Sequence, residues 1–396
     1  MSDVSDDPLN GLGEGVLPYQ AIRKGRDAGW IRSPDAPVPD SNIQPASLDL
    51  RVGDVAYALR CSFLPDDGVP VRDKLRDFTI EEFSLDEARV LEINRPYLVP
   101  LVEELALPAG VRGRANPKSS TGRLDVFTRV VTDGNYRFDE VEDGYHGGLY
   151  LEIVPRSFPI RLRPHERLNQ LRLSTGSARC DDDDIRRLHA ESPLLFAGGV
   201  PVPDEELRVA DGLFLRVGLR SDGADDLTCY QARRHCPPID LSRIAHYEQG
   251  NYWTAVRPAG GGERLILDPE EFYLLISSET VSIPPTLAAE MAAYDPTAGE
   301  LRTHYAGFFD PGFGYSADGR RTGTAAVLEV RAHDVPFLIE DGQRICKLSF
   351  ERMAAEPEVV YGQDLGSNYQ DQDLTLSKHF RRSGSTVEQQ LRLAAG

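Results

Sequence analysis

The feature that most constrains the fold of this chain is an internal repeat. Tyr97 and Tyr273 lie 176 positions apart, and Pro108 and Pro284 keep the same spacing. Further landmarks recur 177 positions apart: Leu151-Glu152-Ile153 with Leu328-Glu329-Val330, Pro159 with Pro336, Arg167-Leu168 with Arg344-Ile345, and Leu171 with Leu348. A spacing that holds over so many landmarks predicts two copies of one module. The alternative is two unrelated β domains with similar hairpins.

The repeated segments have the composition of β-strands. Residues 149–154 and 326–330 are short, apolar and rich in β-branched or aromatic side chains. The 35 glycines and 28 prolines supply many turns. The sequence therefore predicts an all-β fold of two tandem barrel-like or sandwich-like modules. The few helices are predicted near residues 19–28 and 287–293.

The chain is predicted to have two modules joined by a linker. Module 1 spans residues 12–176 and module 2 spans residues 211–382. Residues 177–210 are predicted to be an acidic linker, because they contain the like-charge block Asp181-Asp182-Asp183-Asp184, which is typical of a solvated loop. Residues 383–396 are polar and are predicted to form a flexible tail.

The charge and the cysteines limit the classes of function. The formal net charge of −19 argues against nucleic-acid binding, which needs a basic surface. It allows a small anionic ligand, because a local cluster of Lys and Arg can outweigh the global charge. The five cysteines are scattered and odd in number, which favours a reducing compartment. With no apolar run of roughly 18 residues and no apolar N-terminal segment, we expect a cytoplasmic protein with no membrane partner.

One loop has the composition of a phosphate-binding site. It consists of Lys118, Ser119, Ser120, Thr121, Gly122 and Arg123. Hydroxyl and backbone N–H groups donate hydrogen bonds to phosphate oxygens, while Lys and Arg balance their charge. The segment therefore predicts an oxyanion cradle. The alternative is an ordinary surface loop.

Each copy has a glutamate inside an apolar strand. Glu152 and Glu329 both follow a leucine, and strand alternation places adjacent side chains on opposite faces. Such a carboxylate either faces solvent or lies in a cleft, where burial adapts it for proton transfer. The pattern alone leaves both possibilities open.

Together these motifs resemble the dCTP deaminases of the trimeric dUTPase superfamily. The resemblance rests on Ser-Ser-x-x-Arg in the loop, a turn with Asp-Pro-Gly, and the Leu-Glu strands. Residues 44–53 are similar to the first conserved segment of that family, and residues 304–313 to its base-binding hairpin. Tyr361 and residues 369–372 are similar to its nucleotide-covering C-terminal segment. The resemblance covers most of the chain and implies dUTPase-like β-barrel modules.

The resemblance implies a hydrolase that converts dCTP to dUTP and ammonia in the supply of thymidylate precursors. The strand glutamate, Glu329 or Glu152, would move the protons, while Ser119 and Arg123 would hold the attacking water. The family uses no zinc, and Mg²⁺ accompanies the triphosphate. Binding of dCTP or other deoxynucleotide triphosphates would involve Lys118, Ser120, Thr121, Gly122, Ala306, Asp310, Gln343, Arg344, Tyr361, Tyr369 and Gln372. Gln343 and Arg344 would reach a phosphate, or else form only a charged turn.

The two copies have kept different motifs. At a spacing of 176, residues 294–299 stand opposite residues 118–123, and both cations are replaced. In copy one, residues 132–145 depart from the hairpin pattern that residues 306–312 keep. Since the family builds its sites at interfaces with threefold packing, we expect a homo-oligomer with threefold or pseudo-threefold packing. The hypothesis is a composite site, with the phosphate loop from copy one and Glu329 and the hairpin from copy two; the rival keeps Glu152 as the catalyst.

Two other functions remain possible from the sequence, and a third is set aside. The first is a dUTP pyrophosphatase or a bifunctional enzyme, in which Asp310 would activate water. The second is a non-catalytic nucleotide-binding regulator. The third is a zinc deaminase, since His189-Ala190-Glu191 fits the H-x-E motif; the required Pro-Cys-x-x-Cys pair is missing, so we expect His189 to be a linker or surface residue. Cys346 is expected to be a buried strand residue without a catalytic role.

Overall fold

A computed structural model describes most of the chain. The described residues are 7–34, 36–220, 228–257, 263–292, 301–303, 307–316, 322–332, 334–362, 374–382 and 390. For residues 292 and 301–303 only the backbone is described. Among the described residues, no helix is both long and apolar enough to cross a membrane.

Strands dominate the described part of the chain. The first group is β1 Gly15–Val16, β2 Ile31–Arg32, β3 Leu48–Leu50, β4 Val55–Leu59, β5 Thr79–Ser84, β6 Arg89–Leu91, β7 Tyr97–Ala106, β8 Val111–Pro117, β9 Val126–Thr132, β10 Glu140–Val141, β11 His146–Pro155, β12 Ile160–Leu162 and β13 Asn169–Thr175. The second group is β14 Leu195–Ala197, β15 Val200–Pro201, β16 Leu213–Gly218, β17 Cys229–Ala232, β18 Ile239–Asp240, β19 Trp253–Ala255, β20 Arg264–Leu267, β21 Phe272–Val281, β22 Leu287–Ala292, β23 Leu301–Thr303, β24 Phe308–Phe309, β25 Thr324–Ala332, β26 Phe337–Glu340 and β27 Arg344–Arg352. The all-β prediction is confirmed.

Short helices complete the described elements. They are α1 Tyr19–Asp27, α2 Val71–Phe78, α3 Ser119–Gly122 and α4 Asp182–Glu191, with 3₁₀ turns at Asp40–Asn42 and Gln249–Asn251. The helix predicted near residues 19–28 is confirmed as α1. Its Ala21, Ile22 and Gly25 are buried, whereas basic side chains lie in its last turn, where they interact favourably with the helix dipole.

The chain divides into two compact units. Unit 1 contains Met1–Ala178, Pro237–Arg243 and Arg352–Val359. Unit 2 contains Arg179–Cys236, Ile244–Glu351 and Val360–Gly396. Unit 1 therefore includes two short segments from the second half of the sequence. One of them contributes β18, which pairs in parallel with β12.

Unit 1 places the candidate site residues on two antiparallel sheets. One sheet has the strand order β5-β4-β7-β11-β9, with β2 beside β7. The other has the order β1-β13-β8-β10, with β3 beside β13. Glu152 lies on β11 of the first sheet. Strand β8 of the second sheet leads directly into α3, and so into the phosphate loop.

Unit 2 is built around a large sheet with the path β15-β14-β21-β16-β27-β22-β24. Strand β25 pairs with β21 on one side and with β23 on the other. Two further strands, β20 and β26, form a separate antiparallel pair. Leu275, Leu328 and Ile345 are fully buried in the core of this unit. Glu329 therefore lies on a strand whose neighbours pack into the core.

An ion pair between an arginine and a buried glutamate occurs at corresponding places in the two units. In unit 1 the backbone N–H of Arg51 donates to Oε2 of Glu103 at 2.8 Å, and its Nε donates to Oε1 at 2.6 Å. In unit 2 the backbone N–H of Arg216 donates to Oε2 of Glu279 at 2.9 Å, and its Nε also binds Oε1. Glu103 and Glu279 are 176 positions apart. This shared geometry supports duplication, and it identifies Arg51 and Arg216 as equivalent positions.

A buried tyrosine is also used in the same way in both units. The Tyr97 hydroxyl accepts a hydrogen bond from the backbone N–H of Glu92 at 3.0 Å. The Tyr273 hydroxyl accepts one from the backbone N–H of Asp268 at 3.1 Å. Burial raises the pKa of Tyr97, and it raises the pKa of Tyr273 to about 12. Each tyrosine therefore ties the start of a long central strand to the loop before it.

The predicted acidic linker at residues 177–210 is wrong, because this segment is structured. Its acidic block starts helix α4, where Asp181 accepts a hydrogen bond from the Asp184 backbone N–H at 2.8 Å and Asp184 returns one. Carboxylates cap the free N–H groups of a first turn and interact favourably with the helix dipole. Ile185 and Leu195 are buried in the core of unit 2. The charge run is therefore the start of a helix rather than a solvated loop.

His189 is buried, which corrects its prediction as a linker or surface residue. It lies near the end of α4 and is 5 % exposed. Its Nδ1 accepts from the backbone N–H of Leu194 at 3.2 Å, so its Nε2 carries the hydrogen that reaches the Val202 carbonyl at 2.8 Å. Both ring nitrogens therefore hold the segment after α4.

The helix predicted at residues 287–293 is also wrong. Residues 287–292 form strand β22, which pairs with β24 through Ala289 and Phe309. Leu287, Ala288 and Met291 are all buried, so the strand shows no alternation between apolar and exposed positions. A fully buried strand cannot be distinguished from a buried helix by periodicity. Strand pairing overrides the helix propensity of this alanine-rich run.

Candidate functional site

The phosphate loop of unit 1 is a single tight turn between two sheet strands. Strand β8 ends at Pro117, and the turn α3 begins at Ser119. The backbone N–H of Lys118 donates to the Leu168 carbonyl at 2.9 Å, which fixes the start of the loop. At its end, Asp125 has a left-handed backbone with φ of 56°. The loop is therefore held at both ends by the fold.

The tight turn determines which groups of the loop can meet a ligand. The backbone N–H groups of Thr121 and Gly122 donate to the Lys118 carbonyl at 2.8 Å and 3.0 Å. These two residues are buried and already use their N–H groups, so the geometry does not support them as direct phosphate ligands. Lys118 and Ser119 are partly exposed, whereas Ser120 is buried. The side chains of Lys118 and Ser119 are therefore the accessible donors.

Arg123 lies below this turn, and it is only 4 % exposed. Its backbone N–H donates to the Ser119 carbonyl at 3.1 Å. The next turn is braced by Ser157, whose hydroxyl donates to Oδ2 of Asp125 at 2.5 Å. The guanidinium is thus a buried positive charge directly after the loop. The role predicted for Arg123, which is to hold the attacking water together with Ser119, stays a prediction.

Both strand glutamates are buried, so the solvent-facing interpretation is wrong for both. Glu152 is 1 % exposed and Glu329 is 8 % exposed. Leu151 is also fully buried, because β11 lies between β7 and β9 and is covered on both faces. Strand alternation therefore places Leu151 and Glu152 on opposite faces of β11, and neither side chain is exposed to solvent.

Glu152 is engaged by Arg129, a residue that sequence analysis did not single out. Arg129 faces it across the β9–β11 pair, and its Nε donates to Oε1 of Glu152 at 3.0 Å. Its Nη2 binds the same oxygen and also donates to the Ser62 hydroxyl at 2.9 Å. The guanidinium carbon lies 3.7 Å from the ring centre of Phe138 and 4.6 Å from that of Phe127. In the sequence, Arg129 could have been recognised as the one charged residue in the otherwise uncharged strand β9.

In unit 2, Glu329 lies on a strand that pairs with the strand preceding the predicted base-binding hairpin, residues 304–313. It is on β25, directly opposite Leu274 of β21. On the other side of β25, Thr303 pairs with Val330. Strand β23, which ends at Thr303, precedes the hairpin in the sequence. The fold thus places the Glu329 backbone one position from the end of the strand that precedes the hairpin.

The hairpin keeps its shape because two glycines adopt left-handed backbones. Gly312 has φ of 97° and Gly314 has φ of 64°. A Cβ atom on Gly314 would collide with the Val281 carbonyl, and one on Gly312 would collide with the Val360 side chain. The Gly312 backbone N–H also donates to the Ile283 carbonyl at 2.9 Å. This turn therefore requires glycine at both positions.

Asp310 and Tyr361 are brought to the same hairpin. Asp310 is partly exposed, and its carbonyl accepts from the Phe313 backbone N–H at 3.1 Å. The backbone N–H of Tyr361 donates to the Pro311 carbonyl at 2.9 Å, and its ring centre is 5.8 Å from that of Phe313. Two predicted substrate-binding residues, distant in sequence, thus lie on one local structure.

Gln343 and Arg344 belong to the turn between β26 and β27. The backbone N–H of Glu340 donates to the Gln343 side-chain oxygen at 2.9 Å, and the Gln343 backbone N–H returns a bond to the Glu340 carbonyl at 3.0 Å. Arg344 begins β27 opposite Arg216 and is exposed. Gln343 therefore stabilises the charged turn through its two hydrogen bonds with Glu340.

Three predicted substrate-binding residues lie outside the described residues: Ala306, Tyr369 and Gln372. Residues 294–299, the copy-two counterpart of the phosphate loop, lie outside them as well. In the part of the chain that the structure describes, no three His, Cys, Asp or Glu side chains are grouped to hold a metal ion. Cys346 is buried in β27, and burial raises the pKa of its thiol.

Family models match both halves of the chain. The model described as "2'-deoxycytidine 5'-triphosphate deaminase (DCD) N-terminal domain" matches residues 13–177. The model described as "2'-deoxycytidine 5'-triphosphate deaminase (DCD), C-terminal domain" matches residues 181–380.

Individual proteins give the same result. A dCTP deaminase from Natronomonas pharaonis is 30 % identical over 197 residues, which are 48 % of this chain and 89 % of that protein. A "dCTP deaminase, dUMP-forming" from Methanothermobacter thermautotrophicus is 28 % identical over 165 residues, 40 % of this chain and 79 % of that protein. The crystal structure of 2'-deoxycytidine 5'-triphosphate deaminase from Agrobacterium tumefaciens is 44 % identical with a TM-score of 0.79, covering 86 % of this chain and 99 % of that one.

Proposed function

The chain belongs to the dCTP deaminase family, and we propose that it hydrolyses dCTP to dUTP and ammonia. The observation that carries the proposal is the buried glutamate of the Leu-Glu strand in unit 2, next to the strand that precedes the hairpin. The phosphate loop of unit 1 adds a charged and hydroxyl-bearing edge suited to a triphosphate. The product would supply the synthesis of thymidylate precursors.

In the proposed reaction, Glu329 accepts a proton from water as the water oxygen attacks C4 of cytosine. The carboxyl then delivers a proton to the ring nitrogen N3 and assists proton transfer to the leaving amine. The C4–N bond breaks, ammonia leaves, and a C4 carbonyl remains, so dCTP and water give dUTP and ammonia. Ser119 and Arg123 would position and polarise the water. A buried carboxyl suits this role because it can accept and donate a proton at a site from which bulk water is excluded.

We propose that the two copies have different roles. Copy one would supply Lys118, Ser119, Ser120 and Arg123, and copy two would supply Glu329 and the hairpin with Asp310. The contacts of Glu152 support this division, since Arg129 binds its Oε1 with two nitrogens. We take this ion pair as support for a structural role of Glu152, with Glu329 as the proposed proton carrier.

We also propose that Mg²⁺ enters with the triphosphate. Mg²⁺ binds phosphate oxygens and water readily and needs few protein ligands. The described residues offer no group of three metal-binding side chains, so the ion would be held mainly by the nucleotide. Its contribution would be to offset phosphate charge, and no proton step of the proposed reaction depends on it.

A homo-oligomer with threefold or pseudo-threefold packing remains part of the proposal. The outward face of the β20–β26 pair carries Ile266, 60 % exposed, opposite Leu338, 48 % exposed. Val335, just before β26, is also exposed. Exposed apolar side chains that cluster in this way are typical of interaction surfaces. Light scattering after size-exclusion chromatography would give the mass, and a monomer at micromolar concentration would contradict this part.

A bifunctional enzyme that makes dUMP is the second candidate. It is favoured by the relatives that carry the name "dCTP deaminase, dUMP-forming". In that reaction Asp310, which is partly exposed on the hairpin, would activate a water for attack on the α-phosphate.

Product analysis tests the function and separates the two candidates. The enzyme is incubated with dCTP and, separately, with dUTP, and ammonia and pyrophosphate are measured. A deaminase releases ammonia from dCTP and leaves dUTP intact, whereas a bifunctional enzyme also releases pyrophosphate. If neither nucleotide is converted but dCTP binds, the protein is a nucleotide-binding regulator and the proposed activity is wrong.

A further inference from the structure

We propose that Asp49 is a positioning residue for the triphosphate, because it fixes the ammonium group of Lys118 at the phosphate loop. This inference rests on the proposed function, in which Lys118 binds a phosphate. Asp49 lies on β3, and Lys118 directly follows β8, two strands away in the same sheet.

Contacts with Lys118 and Arg167 fix the position of the Asp49 carboxylate. Nζ of Lys118 forms an ion pair with Oδ2 of Asp49, and Nη1 of Arg167 lies 3.8 Å from the same oxygen. Arg167 donates to Oδ1 of Asn42 at 3.2 Å, and Nδ2 of Asn42 donates to the Asp49 carbonyl at 3.3 Å. Only 1 % of Asp49 is exposed, so these cations replace the water that a carboxylate needs.

Lys118 remains available to a ligand while it is held. Its side chain is 21 % exposed, whereas that of Asp49 is 2 % exposed. The ammonium group has three donors, and one of them satisfies Asp49. The remaining donors can serve a phosphate. The geometry therefore places Asp49 behind Lys118, away from the solvent side.

Copy two shows that the fold does not need this carboxylate. Asp49 pairs with Gln170 across β3 and β13, and Phe214 pairs with Lys347 across β16 and β27. Gln170 and Lys347 are 177 positions apart, the spacing of the repeat in this region. Phe214 therefore occupies the position of Asp49.

Copy two lacks both the carboxylate that corresponds to Asp49 and the ammonium group that corresponds to Lys118. At the spacing of 176, the residue that corresponds to Lys118 is Tyr294, which lies outside the described residues. The copy without the phosphate-loop lysine has Phe214 in place of the buried carboxylate. A carboxylate required only by the module would be expected in both copies. Asp49 accompanies the lysine instead.

A carboxylate near a polyanion site reduces the attraction for phosphate, so its benefit must come from position. A free lysine side chain has many rotamers, and ordering it on binding costs free energy. Asp49 orders Lys118 before the nucleotide arrives. The expected consequence is tighter triphosphate binding with little effect on the chemistry at cytosine C4.

The test is a double-mutant cycle with Asp49→Asn and Lys118→Gln. We expect Asp49→Asn to raise the KM for dCTP by about tenfold, with kcat nearly unchanged. In the Lys118→Gln background the same change should have almost no further effect, because Asp49 acts through Lys118. Inorganic tripolyphosphate, used as a competitor, should lose affinity in parallel.

Asp240→Asn is the matched control. Asp240 is another buried carboxylate of unit 1, and it accepts from Nη2 of Arg163 at 2.8 Å and from the Ser242 hydroxyl at 2.6 Å. Its loss should leave the KM for dCTP unchanged. A KM that stays at the wild-type value in folded Asp49→Asn, or effects of the two substitutions that multiply independently, would overturn the proposal.

Two further measurements apply if Asp49→Asn does not fold or if the wild type is inactive. If Asp49→Asn does not fold, the double variant D49N/K118Q is compared with K118Q, and a higher KM in the double variant counts against the proposal. If the wild type releases no ammonia, calorimetry with tripolyphosphate still tests the role of Asp49. The proposed function would then fail, while positioning would stand if Asp49→Asn weakened that binding.

Discussion

The Arg129 guanidinium binds the Glu152 carboxylate on one side and packs against two phenylalanine rings. Glu152 is 1 % exposed, and its partner guanidinium is covered by Phe138 and Phe127. An ion pair of this kind is costly to form but also costly to break on one side only. We therefore regard Glu152 and Arg129 as a structural pair within unit 1.

Replacement of Arg129 by Met should destabilise the protein by about 3 kcal/mol, because it leaves a buried carboxylate without its cation. Met keeps much of the packing against the two rings. The double variant R129M/E152Q should recover most of that loss. The free energy of unfolding in urea measures both. A single-variant loss below about 1 kcal/mol would show that the carboxylate has another partner or is accessible to water.

The site residues show what single-residue patterns in the sequence can predict. The sequence located Lys118, Ser119 and the two glutamates, because charged and hydroxyl side chains stand out within apolar strands. It could not predict the partners, since Arg129 and Glu152, or Asp49 and Lys118, meet only through strand pairing. Thr121 and Gly122 were predicted to bind phosphate, and only the tight turn shows that their backbone N–H groups are already used.

The two copies resemble each other more in the positions of their strands than in the identities of their side chains. Both units have a long strand with a buried tyrosine at its first or second residue, Tyr97 in β7 and Tyr273 in β21. Each tyrosine hydroxyl accepts a hydrogen bond from a backbone N–H group. The sequence predicted these strands from the repeat. It failed for β22 and α4, where strand pairing and helix capping outweighed the apparent propensity.

The paired tyrosines make a prediction about alkaline stability. Burial raises the pKa of Tyr273 from 10.0 to about 12, so the folded state favours the neutral phenol. That stabilising contribution is complete below pH 10 and is lost as the pH rises towards 12. Tyr273→Phe should cost about 1 kcal/mol at neutral pH through the lost hydrogen bond to Asp268, yet lose less stability than the wild type between pH 10 and 12.

Urea unfolding at pH 8 and pH 11 measures this difference. Tyr97→Phe should behave in the same way, because its hydroxyl holds the Glu92 backbone N–H group and burial raises its pKa. Tyr136→Phe is the control, since Tyr136 is 54 % exposed. An unchanged pH dependence in Tyr273→Phe would show that ionisation of this phenol does not limit alkaline stability.

At the scale of the whole molecule, duplication has produced two units of one fold family with different motifs. The repeat spacing predicted two copies, and the family models match residues 13–177 and 181–380. The sequence did not predict that Pro237–Arg243 and Arg352–Val359 belong to unit 1, because such an exchange depends on the pairing of β18 with β12 and on other tertiary contacts. The separate roles that we propose for the copies would explain why the phosphate loop and the intact hairpin motif occur in different halves.

The most direct test of these separate roles compares Glu329→Gln with Glu152→Gln by ammonia release from dCTP. Both substitutions keep the side-chain size and remove the charge, and thermal unfolding confirms that each variant is folded. Glu329→Gln should reduce kcat by about 10²- to 10⁴-fold, because proton transfer is lost. Glu152→Gln should keep most of its activity, because Glu152 serves the ion pair with Arg129. Loss of activity in Glu152→Gln alone, with Glu329→Gln fully active, would contradict the account.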